Sequence, residues 1–326
     1  MAVAVPATRA RFLDRLRRYN YAPLLALVVL FTISAFLSEH FLQTGNLLNI
    51  LRQVSFAGII ALGMTFVIIA GGIDLSVGSM MALVGWVAVS TVNRLGGETG
   101  ASAAMIPLAI VAALAAGAVL GLANGLLVTA GRIAPFIVTL GTLAIFRSLT
   151  LYAADAGEVR STSEAYYALG ESRPLGVPAA VWVFLGLAAL LNLLLNNTRF
   201  GRHACAVGSN EKVAQYSAIG VDRVRVLTYA IAGLAVGVSA VLASARTNSM
   251  NSTNFGAGME LDAIAAVIIG GTPMTGGRGS VWGTVIGAIM LGIINNMLNM
   301  MSVDTNLVGT VKGLVIIIAA LVQRRL

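Results

Sequence analysis

The chain has 326 residues, of which 58% are hydrophobic and 10% charged, whereas soluble domains carry about 25% charged residues. This composition excludes a soluble enzyme and indicates a protein that lies almost entirely in a membrane, since about 20 apolar residues cross a bilayer once. The formal net charge of +8 comes from basic residues scattered between apolar runs, so it indicates membrane orientation rather than nucleic-acid binding. The single cysteine excludes an internal disulfide.

The apolar runs predict about ten transmembrane segments. The first, at 22–36, follows an arginine-rich cytoplasmic segment at 1–21 and ends without a small-residue cleavage site, so we interpret it as an uncleaved span. The other runs lie at 53–70, 75–92, 104–130, 133–151, 179–196, 226–245, 261–270, 281–300 and 307–322. We therefore predict an all-α integral membrane protein with a single transmembrane domain at 22–326, and with broken or half helices near 71–75 and 261–280.

Lysine and arginine are unequally divided between the two predicted sides. If the N-terminus is cytoplasmic and the sides alternate, fourteen basic residues fall inside, five outside and two within spans. This bias supports cytoplasmic placement of both termini. It also puts the 152–178 loop outside and the 197–225 loop in the cytoplasm.

Two further patterns concern packing. Glycines recur at every fourth position in three stripes, at 117, 121 and 125, at 233 and 237, and at 279, 283 and 287. Such stripes predict close helix contacts, either between subunits or, as we favour, within one. The run at 67–69 before two glycines is repeated at 267–269, which suggests an internal duplication.

The segment after the run at 53–70 contains a carboxylate at membrane depth, which is costly. Gly71 and Gly72 can break the helix, and Asp74 or Ser76 can then cap the next one. Two interpretations stay open. The segment is either a broken helix that lines a substrate path or a polar cap in a cytoplasmic turn.

The predicted cytoplasmic loop contains a short helix with defined ends. Ser209 or Asn210 can cap its start, Glu211 suits the positive end of its dipole, and Gly220 can take the left-handed position after its end. The exposed face of this helix is either a docking knob for another protein or a solvated turn.

Several polar residues lie within or near the later spans. Glu260 and Asp262 open the half-helix near the outer face, where they could cap it, which we favour, gate the opening or meet a binding protein. Arg147 and Lys312 lie near span ends and could snorkel to the interface. The asparagines are interpreted as interhelical hydrogen-bond partners. The two histidines lack neighbours at metal-ligand spacing, so we expect no metal site.

Four stretches resemble the transmembrane permease subunit of the ribose-type family of binding-protein-dependent ABC sugar importers. They are GGIDLSVGS from Gly71, RPLGVP from Arg173, TRFGRHACAVGSNEKVAQYSAIGV from Thr198 and ELDAIAAVIIGGTPMTGGRGSVWGTVIGAIMLG from Glu260. The first and last are the most specific. The resemblance, supported by matching hydropathy, covers essentially the whole chain.

This resemblance implies a pore subunit that hydrolyses no ATP itself, in agreement with the lack of a phosphate-binding loop in the sequence. ATP and magnesium would bind a partner ATPase, an extracytoplasmic binding protein would deliver a ribose-like monosaccharide, and a second permease subunit would complete the path in the bacterial inner membrane. The coupling helix for the ATPase would include Gly208, Asn210, Glu211, Ala214 and Gly220. Two alternatives remain at this point, an ion-gradient transporter using Asp74 and a membrane scaffold that transports nothing.

Overall fold

The computed structural model describes residues 22–96 and 105–324, so the predicted cytoplasmic segment at 1–21 lies outside the described residues. These residues form α-helices and one small sheet. The helices are α1 Ala22–Leu37, α2 Thr44–Ile69, α3 Val77–Gly96, α4 Ile106–Thr129, α5 Pro135–Ala153, α6 Glu164–Glu171, α7 Ala179–Asn197, α8 Arg199–Ser209, α9 Glu211–Tyr216, α10 Val221–Thr247, α11 Met259–Ile269, α12 Val281–Met300 and α13 Thr305–Arg324. The strands are β1 Glu158–Arg160 and β2 Ser249–Asn251.

The all-α membrane class is confirmed, but the count of ten crossings is not. Six helices, α2, α4, α5, α7, α10 and α12, are long and apolar enough to cross a bilayer. Helix α1 is apolar but has only 16 residues, and α11 has 11. The predicted half-helix is therefore present, because 11 residues span about 17 Å and a bilayer core is about 30 Å thick.

Helix α10 defines the two ends of the molecule. Its 27 residues correspond to about 40 Å, and it runs without interruption from the short helix α9 to strand β2. We call the first the short-helix end and the second the sheet end. At the sheet end β1 and β2 pair antiparallel, with Val159 opposite Met250; the sequence analysis did not predict this strand pair.

The sheet end is also fixed by α6. The Tyr166 hydroxyl lies 2.7 Å from Ser244 Oγ on α10, and the side chain is fully buried. Burial raises the pKa of the Tyr166 phenol to about 12, so it stays neutral and keeps its proton for hydrogen bonding.

The glycine stripes pack helices within the chain, as favoured from the sequence. Gly117 on α4 meets the backbone of Gly233 on α10, and Gly121 meets the carbonyl of Tyr229. A side chain at either glycine would overlap that backbone. Gly287 of the third stripe contacts the Ala266 carbonyl of α11 in the same manner. Close backbone approach therefore replaces the hydrophobic drive that is missing between helices in lipid.

The repeated apolar run is matched by repeated structure. After α2, the amides of Gly71 and Gly72 donate to the carbonyls of Ile68 and Val67. After α11, the amides of Gly271 and Thr272 donate to the carbonyls of Ile268 and Val267. Gly71 and Gly271 both have positive φ, +79° and +91°, which glycine adopts without strain. The two helices thus end in the same way, 200 residues apart.

Candidate functional site

The ends of three segments meet at the short-helix end. The amide of Gly277 donates to the carbonyl of Ile69, the last residue of α2, at 2.8 Å. Gly208, near the end of α8, approaches the same carbonyl so closely that a Cβ atom there would overlap it. Ser209 Oγ donates to the Gly277 carbonyl at 3.4 Å. We call these four residues the helix-end junction. It joins α8 to the ends of both repeated units.

Asp74 lies just beyond this junction and is completely buried. One carboxylate oxygen accepts from the amide of Ser76 at 2.8 Å and from its hydroxyl at 2.6 Å. The other accepts from Asn124 Nδ2 on α4 at 3.3 Å. The expected cap is therefore wrong in detail. Asp74 bonds to Ser76, the residue that precedes α3, rather than to the amides of the first turn. The two-residue spacing between them is that of an Asx turn.

Two side chains tie the Asp74 segment to the neighbouring spans. Asn124 Nδ2 of α4 also donates to Ser76 Oγ at 2.8 Å, so this asparagine bonds to the non-helical segment between α2 and α3 rather than to another helix. The Tyr229 hydroxyl of α10 donates to the carbonyl of Ile73 at 3.0 Å. The sequence analysis missed Tyr229. The sequence feature that could have identified it is a tyrosine within an apolar helix with a glycine stripe, because a buried phenol hydroxyl needs a hydrogen-bond partner.

The short helix α9 has the predicted start. Asn210 Oδ1 accepts from the amide of Val213 at 3.1 Å, so the cap is Asn210 and not Ser209, which ends α8. Glu211 forms a 2.7 Å salt bridge with Arg225 of α10. Ala214 is buried, while Val213 and Tyr216 are 57% and 89% exposed. One face of α9 is thus fixed to the protein and the other carries an exposed apolar knob of Val213 and Tyr216.

The predicted role of Gly220 at the helix end is wrong. Helix α9 ends at Tyr216, and Ala218 takes the left-handed conformation with φ +58°. The amide of Ile219 then donates to the Ala214 carbonyl at 3.1 Å, so the left-handed position lies two residues earlier than expected. Gly220 has φ −72° and precedes α10, where its carbonyl accepts from Val224.

Glu260 of α11 lies beside the start of α3. Its carboxylate contacts Gly78, in the first turn of α3. Fifteen residues further along α3, Asn93 Nδ2 donates to the Arg160 carbonyl in β1 at 2.8 Å, so α3 leads from Glu260 towards the sheet end. The residue before α11 is Gly258, in a left-handed conformation without a side-chain cap, while the Glu260 carboxylate accepts from the backbone amides of Gly258 and of Glu260 itself.

Both cations near the span ends are partly buried and have protein partners. Lys312 Nζ of α13 lies 2.9 Å from each carboxylate oxygen of Asp262. Arg147 Nη1 of α5 donates to the carbonyls of Ser252 and Phe255 at 2.8 and 3.2 Å, and its charge attracts that of Glu260. Pairing of this kind lowers the cost of ionised groups in the bilayer. The first turn of α11 is therefore held from two sides.

We expect the Lys312→Met variant to lose stability, because Asp262 would keep an unpaired carboxylate at membrane depth. Breaking a buried pair by removing one partner costs about 3 to 5 kcal/mol, so the melting temperature in detergent should fall by several degrees. The control is the double variant Asp262→Leu with Lys312→Met, which should regain most of the loss. Equal melting temperatures for the single and double variants would contradict a stabilising pair.

The structure separates the predicted site residues into two groups. Gly71, Gly72, Asp74 and Ser76 lie at the short-helix end, where Gly71 is next to Gly208. Glu260 and Asp262 lie apart from them, at the start of α11. The GGIDLSVGS stretch connects the groups, since its first glycine faces α8 and its Gly78 faces Glu260. Within the described residues, no cluster of three or more histidine, cysteine or acidic side chains is arranged to hold a metal ion.

The chain is similar to known transport proteins over nearly its whole length. The family described as branched-chain amino acid transport system / permease component matches residues 46–320. The ribose import permease protein RbsC of Escherichia coli K12 is 41% identical over 307 residues, covering 93% of this chain and 92% of that protein. RbsC of Bacillus subtilis is 42% identical over 93% and 92% of the two chains. The xylose transport system permease protein XylH of E. coli K12 is 33% identical over 91% and 89%.

Proposed function

Since this chain belongs to the permease family of ABC monosaccharide importers, we propose that it receives the motion of a separate ATPase through α8 and α9. It is a multi-pass subunit of the bacterial inner membrane and not itself an enzyme. This membership decides against the ion-gradient transporter and the scaffold.

The observation that carries the coupling proposal is the contact path from α9 to the Asp74 segment. The exposed knob of Val213 and Tyr216 sits on a helix that is fixed by Ala214 and by the Glu211–Arg225 salt bridge. Helix α8 ends immediately before α9, and Gly208 in its last turn belongs to the helix-end junction. A push on the knob therefore reaches the ends of both repeated units through rigid helices.

The mechanism follows from the different contacts in two pore states. ATP binding can favour one pore state only if the ATPase binds the knob with different affinities in the two states. We assign Asn210, Glu211, Ala214 and Gly220 to the shape of this docking element and Gly208 to the transfer of its motion. Gly71, Gly72, Asp74 and Ser76 would form the inner gate, while Glu260 and Asp262 would belong to the middle of the path.

The assembly that fits this mechanism has two permease subunits around one path. Both termini and the short-helix end would face the cytoplasm, where the ATPase lies, which agrees with the bias of basic residues. The sheet end would then face the extracytoplasmic binding protein. The similarity to ribose import permeases favours ribose or a closely related monosaccharide as the cargo.

The knob is tested by a pair of exposed tyrosines at opposite ends of the molecule. We expect Tyr216→Ser to weaken ATPase binding about 30-fold and to lower uptake accordingly, because an aromatic anchor at an interface contributes about 2 kcal/mol or more. Tyr152, at the sheet end, is exposed to nearly the same degree, 86%. Tyr152→Ser is thus the matched control and should leave ATPase binding unchanged.

Both variants are measured in proteoliposomes that contain the ATPase and the binding protein, with sugar uptake and ATP hydrolysis recorded in the same preparation. Loss of ATPase binding in Tyr152→Ser but not in Tyr216→Ser would reverse the proposed orientation. Normal coupling of ATP hydrolysis to uptake in both variants would show that the knob is not part of the ATPase interface.

A further inference from the structure

A cavity with polar and apolar walls lies between α3, α5 and the start of α11, away from the helix-end junction. It has a volume of about 370 Å³. Its walls come from α3, from α5 and from the non-helical segment 252–258 that leads to α11. The polar lining residues are Ser79, Arg147, Thr253 and Glu260, and Leu143 and Leu151 form an apolar wall. The size lies in the range of small-molecule sites, about 300 to 1,000 Å³.

Arg147 offers unused hydrogen-bond donors to this cavity. Its Nη1 atom is held by the carbonyls of Ser252 and Phe255, which fixes the guanidinium plane. A guanidinium carries five N–H donors, and among the described residues no partner accepts from Nε or Nη2. A cation inside a transmembrane helix is expensive and marks a functional site by default. Because Nη1 is anchored, the remaining N–H donors of the Arg147 guanidinium are held in one orientation beside the cavity.

The other polar groups of the cavity can act as acceptors. Glu260 attracts Arg147 electrostatically, but no direct salt bridge joins them among the ion pairs of residues 22–96 and 105–324. The Ser79 and Thr253 hydroxyls donate to the Ser76 carbonyl and to the Asn251 side chain, so their oxygens keep free lone pairs. The cavity thus presents donors on one wall, acceptors on others and an apolar surface between them.

We infer that this cavity binds the monosaccharide during its passage, with Arg147 donating to vicinal hydroxyls and Glu260 accepting from a third. A sugar has hydroxyls that both donate and accept, and C–H groups that suit the leucine wall. Charged partners give the stronger hydrogen bonds. The cavity has no aromatic platform among its lining residues, and weak binding suits a path that the cargo must also leave. This inference rests on the proposed function and adds the residues that contact the cargo.

The test uses the single native cysteine, Cys205. In a Cys205→Ala background, Ala257→Cys places a thiol on the cavity wall, since Ala257 lines the cavity and has no polar side chain. Leu149→Cys is the matched control, because Leu149 is exposed on α5 but does not line the cavity. The permease with its ATPase is labelled with a membrane-impermeant methanethiosulfonate reagent, and the rate is measured by mass spectrometry.

We expect the Ala257→Cys thiol to react at least tenfold faster than the Leu149→Cys thiol. D-Ribose at 100 mM should slow it at least threefold, whereas sucrose at the same osmolarity should not. Arg147→Gln in the same background should abolish the protection by ribose. If Ala257→Cys prevents transport, Thr253→Cys on the same wall replaces it.

Equal labelling with ribose and with sucrose would overturn the cavity assignment, provided that the cysteine variant still imports ribose when the binding protein is added. A complex that imports no ribose under any condition would instead overturn the proposed cargo. Protection by ribose that persists in Arg147→Gln would remove Arg147 from the site.

Discussion

The Gly208→Ala variant is expected to lose at least 90% of its sugar uptake while ATP hydrolysis by the complex continues. A Cβ atom at this position would overlap the carbonyl oxygen of Ile69 and would stand 2.5 Å from the amide nitrogen of Gly277. Both neighbours are backbone and cannot rotate away, and overpacking of this kind costs about 1 to 3 kcal/mol. The methyl group would therefore force α8 away from the helix-end junction and interrupt the proposed transfer of motion.

The matched control for this variant is Gly186→Ala. Gly186 lies inside α7, and no atom comes within 4 Å of a Cβ added there, so alanine should be neutral or slightly stabilising in the helix. Uptake and ATPase activity are measured at equal amounts of folded protein. Normal uptake in Gly208→Ala at normal yield would show that α8 can separate from the junction without loss of coupling.

For Asp74→Ala we expect an uptake per folded molecule at least twentyfold lower than that of the unchanged protein, together with a reduced yield. The substitution leaves the amide and hydroxyl of Ser76 and the Asn124 side chain without their shared acceptor. Each buried group that loses its partner costs about 1 to 3 kcal/mol, and 1.4 kcal/mol corresponds to a factor of ten. The segment between α2 and α3 would then no longer hold one conformation.

Two comparisons make the Asp74 result specific. Thr150→Val removes a hydroxyl that is equally buried but bonds only to Phe146 within its own helix, so its effect should be small. Asp74→Asn keeps an acceptor for Ser76 and should retain more uptake than Asp74→Ala. Normal uptake in Asp74→Ala at normal expression would reduce the residue to a dispensable polar group in a turn.

Local patterns in the sequence predicted local features of the fold correctly. The half-helix at α11 follows from a short apolar run between glycines, and the Asn210 cap follows from an asparagine before an acidic residue. The glycine stripes also predicted packing seams, because a four-residue spacing puts small residues on one helix face. These features depend on neighbours within a few positions of the chain.

Features that depend on distant neighbours were missed or placed wrongly. The approach of Glu260 to Gly78 of α3 was missed, since the two residues lie more than 100 positions apart. Tyr229 and Arg147 were not connected to the site, since their partners at Ile73 and Ser252 lie more than 100 positions away. Gly220 was misplaced because Ala218 accepts the left-handed conformation that the rule assigns to glycine.

The continuity of α10 has a geometric consequence for the movements of the whole subunit. An unbroken helix of 27 residues moves as one unit, and its seam with α4, from Val226 to Gly237, is centred near its midpoint. A tilt of about 10° around that point would displace the two ends by about 3.5 Å in opposite directions, given a length of about 40 Å. Narrowing of the path on one side of the bilayer would then accompany its widening on the other side.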